Sequence, residues 1–123
     1  MPIIPAFILR RLYVSGSLNN SESGWQFTLK NSLGSGYAKK MLALELDGEK
    51  IPMDASTFFQ NGEDITFQQV DQSKTFGLQM NRSIVIKVSG GKLSPGPHKI
   101  WMGFEVPGFG NIGFDFTDEI CNG

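Results

Sequence analysis

The sequence predicts an all-β fold, an antiparallel β-sandwich of immunoglobulin-like type with about eight strands. Three observations point there. Apolar residues recur at every second position in several short stretches, the period that sets alternate side chains on one face of a sheet. Turn residues separate these stretches at roughly ten-residue spacing. Fifteen glycines, six prolines and ten phenylalanines suit short strands and tight turns rather than helices. At 123 residues the chain reads as one domain, 1–123. A chain of that size buries about two-thirds of the surface it would expose unfolded, so it needs no metal or disulfide staple.

The densest pattern lies in Leu93–Ile120, read as a hairpin. Ile100, Met102, Phe104 and Val106 alternate in its first strand, and Ile112, Phe114 and Phe116 in its second. These side chains share a face, each contributing roughly 1.5–3 kcal/mol if fully buried. Pro107-Gly108-Phe109-Gly110-Asn111 closes the pair, and Ser94-Pro95-Gly96-Pro97 leads into it as a type II turn signal.

The remaining elements follow in order. Phe7–Leu18 is a strand candidate with a break in phase at Arg10-Arg11 and a bend at Gly16. Asn19–Gly24 reads as a polar loop. Trp25, Phe27 and Leu29 alternate cleanly, pointing inward. Asn31–Gly36 (NSLGSG) is a flexible loop without the Gly-Lys-Ser/Thr ending or following helix of a P-loop. Leu42, Leu44 and Leu46 alternate toward Asp47-Gly48, a two-residue hairpin turn, and Glu49-Lys50-Ile51 returns from it. Short strands follow at Ser56–Gln60, around Ile65 and Phe67, at Phe76–Met80 and at Ile84–Val88.

Charge and cysteine content narrow the function. Eleven basic and twelve acidic residues give a net charge of −1, and no basic tract offers a phosphate-backbone surface. The single Cys121 cannot form an internal bridge, which fits a reducing compartment. The apolar run Ile3–Leu9 precedes Arg10-Arg11, the reverse of a secretory signal. No apolar run reaches the length of a membrane span. Together these features read as a soluble, cytoplasmic protein.

No catalytic, cofactor-binding or metal constellation emerges. His98 is the only histidine and reads as a strand-corner residue bonded to nearby backbone. Asp47/Glu49 and Glu63/Asp64 lie in turns. Asp115, Asp118 and Glu119 have oxygen ligands but no EF-hand spacing. No Gly-x-Ser-x-Gly elbow is present. Asn19-Asn20-Ser21 and Asn81-Arg82-Ser83 match glycan acceptors by triplet alone. Trp101 alternates out of phase with its core neighbours. It is either half-covered by an adjacent strand or loop, or sits in a partner interface.

Taken together, Ile4-Pro5-Ala6-Phe7, Leu12 to Leu18 (LYVSGSL), Gly24 to Asn31 (GWQFTLKN), Leu46 to Pro52 (LDGEKIP), Leu93 to Ile100 (LSPGPHKI) and Phe114-Asp115-Phe116 resemble the C-glycoside deglycosidase β subunit family. The resemblance implies a bacterial carbon–carbon lyase complex. That complex cleaves the bond between a 3-oxo-sugar and a flavonoid-type aglycone, and contains several αβ pairs. Its TIM-barrel α subunit would hold a divalent metal, manganese, while this chain would hold no cofactor and be inactive alone. Partner contacts are expected at Ile3, Ile4, Phe7, Trp101 and Phe109. The rival reading is a stand-alone carbohydrate- or protein-binding module, with Trp25, Trp101 and Tyr37 as candidate sugar-stacking platforms, although Trp25 reads as core.

Overall fold

A computed structural model describes residues 4–120. Ile3 and Cys121 lie outside the described residues. The strands are β1 (Asn19–Asn20), β2 (Gly24–Lys30), β3 (Gly36–Ala38), β4 (Lys40–Met41), β5 (Glu45–Leu46), β6 (Glu49–Lys50), β7 (Ser56–Gln60), β8 (Glu63–Thr66), β9 (Phe76–Leu78), β10 (Ser83–Ser89), β11 (Gly96–Val106) and β12 (Gly110–Ile120). One five-stranded sheet runs β1-β2-β10-β7-β8. The second runs β12-β11-β5-β6, with β4 also on β11, and β3 pairs with β9 apart from both. Every pairing is antiparallel.

The expected all-β, antiparallel architecture is therefore present, its short edges dividing eight anticipated strands into twelve among the described residues. Inward side chains of both large sheets meet in one buried cluster. Phe27, Leu29, Phe58, Ile86, Ile100, Met102 and Phe114 lie at its centre. Alternation made that cluster predictable: Trp25, Phe27 and Leu29 are buried as expected, as are Ile84, Ile86 and Val88. The β11–β12 register places Ile100 opposite Phe116, Met102 opposite Phe114 and Phe104 opposite Ile112, the face read from the sequence.

Two expectations change. The stretch after Pro5 is not a strand: Ala6–Leu9 forms a short helix, α1, continued by a 3-10 turn over Arg10–Leu12. The Pro5 carbonyl accepts the amides of Ile8 and Leu9. Winding the chain puts Leu9 and Leu12, three apart, into the core together while Phe7 stays 68% exposed. Arg10 Nε donates to the Asp115 carbonyl at 2.6 Å, so this segment covers part of the free edge of β12.

The second change is in the leucine run. Lys40 and Met41 oppose Glu105 and Phe104, but Glu45 and Leu46 oppose Trp101 and Ile100. Leu42-Ala43-Leu44 thus spans only Met102-Gly103, a one-residue bulge that reverses the alternation. Met41 and Leu44 are fully buried, whereas Leu42 is only partly covered. The turn itself is as read: Asp47 and Gly48 both have positive φ, +50° and +90°, as a type I′ hairpin requires.

Candidate functional site

The polar chemistry gathers at the start of β11. Asp47, held by its turn, points one carboxylate oxygen at the Lys99 amide (2.8 Å) and the other at His98 Nδ1 (2.7 Å). His98 Nε2 lies 2.8 Å from the Ser94 carbonyl. Both ring nitrogens therefore face acceptors, an arrangement met in full only by the imidazolium. The Asp47 carboxylate, then the Ser94 carbonyl, raise the pKa of His98 above its ordinary value. The Lys99 amide, followed by the His98 ring, holds Asp47 below the usual carboxylate range. His98 is thus bonded to local backbone as expected, with an acidic partner that the sequence did not reveal.

Asp118, opposite His98 in the ladder, has a separate set of partners. The Tyr13 hydroxyl donates to Asp118 Oδ2 at 2.6 Å and the Gly16 amide to the same oxygen at 2.8 Å. The Leu18 amide donates back to the Tyr13 oxygen at 3.1 Å. The Tyr13 ring stacks on Phe116, centroids 3.7 Å apart and planes 12° apart. Burial, then the Asp118 carboxylate, push the Tyr13 pKa up to about 12. The Tyr13 hydrogen bond keeps Asp118 below the usual carboxylate range. Asp115 instead points at Arg10 (3.2 Å) and Lys99 (3.7 Å). Among the described residues, no three His, Cys, Asp or Glu side chains converge as metal ligands.

The opposite end of the hairpin carries a cavity of about 240 Å³ between the Asn31–Gly36 loop, α1 and the tip of β11–β12. Leu9, Leu12, Phe76, Leu78 and Phe104 form its walls, with Tyr37 and Phe109 also lining it, and among the described residues no charged side chain contributes. Asn31, 3% exposed, organises the loop beside it. Its amide donates to the carbonyls of Gly34 (2.6 Å) and Leu78 (2.8 Å), and its oxygen accepts the Leu33 and Gly34 amides. Asparagine followed by a Gly/Ser-rich stretch is a signal for such a turn. The linkage of Tyr13 to Asp118, 105 residues apart, has no linear signal.

The structure separates the expected contact residues. Ile4 and Phe109 both line the cavity, whereas Phe7 is exposed on α1. Trp101 lies over Gly103 and Gly113, where a side chain on either glycine would collide with the indole. It is half-covered by its own sheet. Trp25 is 2% exposed, which removes it as a stacking platform.

Comparison with known families corrects the functional expectation. The model of the family described as hydroxymethylglutaryl-CoA reductase, N-terminal domain, matches residues 8–121. A search of curated proteins gives no match. The family match overturns the resemblance to C-glycoside deglycosidase β subunits, and with it the carbon–carbon lyase activity, the TIM-barrel α subunit and the stand-alone module. The segments that suggested it are strand-and-turn patterns such as Asp47-Gly48 and Ser94-Pro95-Gly96-Pro97, which many β-sandwiches can share.

Proposed function

Because the chain belongs to the hydroxymethylglutaryl-CoA reductase N-terminal domain family, we propose that it serves as a β-rich accessory domain of a reductase acting on hydroxymethylglutaryl-CoA. In this reading the reductive chemistry resides in the rest of that enzyme. The match over residues 8–121 carries the proposal. The side-chain geometry supports the division of labour. Reduction needs a group placed to give a proton inside a substrate site. Here His98, Asp47, Tyr13 and Asp118 are engaged with one another or with local backbone, and among the described residues the cavity has no charged lining. Phe7, exposed on α1, and Trp101, on the outer face of β11, are the proposed contacts with the catalytic part.

Mixing the purified chain with the catalytic part of a hydroxymethylglutaryl-CoA reductase tests this. The expected outcome is a stable complex, no reductase activity from the chain alone, and roughly thirtyfold weaker association for Trp101→Ala, equivalent to about 2 kcal/mol. Reduction of hydroxymethylglutaryl-CoA by the isolated chain, or no association with the catalytic part, would contradict the proposal.

A further inference from the structure

The cavity beneath the hairpin tip has the chemistry of a ligand site that the accessory role leaves unexplained. Its walls come from three separate parts of the chain: Leu9 at the end of α1 with Leu12 in the 3-10 turn that follows, Phe76 and Leu78 on β9, and Phe104 on β11. All five side chains are buried. Asn31 is the buried polar side chain in its lining, and both its amide hydrogens and its oxygen are already committed to Gly34, Leu78 and Leu33. The Ser35 hydroxyl oxygen accepts the Met80 amide. A charged group seated against these walls would therefore lose hydration and meet no countercharge among the described residues, a cost that disfavours carboxylates, phosphates and ammonium groups there.

Size narrows the choice further. An apolar protein cavity of about 150 Å³ stays dry and takes up benzene. The cavity here, about 240 Å³, has room for a second ring. We propose that it is a binding site for a compact, uncharged, largely apolar molecule of one or two rings, seated against Phe76 and Phe104 behind the loop that carries Phe109. The proposal stands apart from the accessory role and does not depend on it.

Titration of the 13C-methyl-labelled chain with indole tests the site. The expected result is saturable shifts confined to methyls of the cavity lining, those of Leu9, Leu12, Leu78 and Ile112 among them. Indole-3-carboxylate, the same ring bearing a charge, should bind at least about tenfold more weakly, since that ratio corresponds to only about 1.4 kcal/mol of unmet desolvation. Ala38→Leu, which grows into the cavity from a buried wall position, should abolish the saturation. Ile112→Trp, at a half-buried lining position, provides the same test if Ala38→Leu does not fold. Absence of saturable shifts up to the solubility limit of indole would overturn the proposal. So would equal binding of the carboxylate, or unchanged binding in the folded filling variants. Methyl shifts that arise only on adding the catalytic part of a reductase, with none from indole, would also overturn it and assign the cavity to a protein contact.

Discussion

At one end of the β11–β12 hairpin, His98 and Asp118 sit opposite each other and each is bonded to a distant loop. At the other, the chain turns at Phe109 beside an apolar cavity. Both ends are built from the same two strands with the same alternating pattern, so strand sequence alone does not separate them. The difference lies in what arrives from elsewhere in the chain. The first end receives Asp47 from a tight turn and Tyr13 from the N-terminal segment, and their polar groups satisfy those of the hairpin. The second receives Leu9, Leu12, Ala38 and Leu78, whose side chains leave space between them. One end is closed by hydrogen bonds and stacked rings; the other is apolar and open to a guest.

The largest expected contrast is between two phenylalanines. Phe116 stacks on Tyr13 and meets Phe27 edge-on at 5.2 Å, whereas Phe104 lines the cavity, with Phe76 6.3 Å away. Phe116→Ala should cost about 4–5 kcal/mol of unfolding free energy, near the upper range for a core phenylalanine. Phe104→Ala should cost about 3 kcal/mol, because part of its surface already faces space. Urea denaturation of both variants measures the difference, and equal costs would show the two ends to be packed alike.

Next in size is the carboxylate beneath Tyr13. Asp118→Ala leaves the Tyr13 hydroxyl and the Gly16 amide without their acceptor. A loss of about 2 kcal/mol is expected in the same denaturation experiment, the usual cost of stranding a partly buried donor, here the Tyr13 hydroxyl. A loss within a few tenths would mean that water replaces the carboxylate without penalty.

The pH dependence of stability should carry the signature of this end in both directions. His98 has a raised folded pKa, so its contribution is complete below its ordinary value of about 6.5 and fades as pH rises through the folded value. Asp47 and Asp118 have lowered folded pKa values. Their contribution is complete above the ordinary carboxylate value of about 3.9 and fades as pH falls through the folded values. The melting temperature should therefore form a plateau between these limits; His98→Asn should flatten its alkaline shoulder and, because the His98 ring also helps hold Asp47 low, soften the Asp47 part of the acid limb. An unchanged shoulder in that variant would remove His98 from the account.

The smallest effect is expected where a polar group has no role. Ser56, on β7, buries its hydroxyl without a hydrogen-bond partner among the described residues. Ser56→Ala should be neutral or stabilising by up to about 1 kcal/mol, since it deletes an unsatisfied group. A clear destabilisation would show that the hydroxyl is bonded in solution.

Much of the framework was legible because it depends on local period and turn chemistry. The β11–β12 face, the Trp25-Phe27-Leu29 strand and the Asp47-Gly48 turn all follow from residues within a few positions of one another. The bulge at Leu42-Ala43-Leu44 was not legible, because one inserted residue shifts the phase only when the partner strand is known. The N-terminal helix was missed for a related reason: Leu9 and Leu12 suit a turn only once a core exists to receive both. Of the expected contact residues, Ile4 and Phe109 do come together, but at the cavity. The pairing of Tyr13 with Asp118 spans nearly the whole chain and leaves no local trace. Functional assignment was the least legible layer, since no motif carries chemistry and β-turn patterns are shared by unrelated sandwiches.

Native-state hydrogen exchange, residue by residue, tests the contrast between the two ends most directly. The amides of Gly16, Leu18 and Lys99 bond to side chains of Asp118, Tyr13 and Asp47 at the closed end. Those of Leu33, Gly34 and Phe109 belong to loops around the cavity. Local opening is easier where fewer packed contacts must break, so the first group should exchange at least about tenfold more slowly than the second. Equal protection at both ends, or greater protection around the cavity in the unliganded protein, would contradict the account.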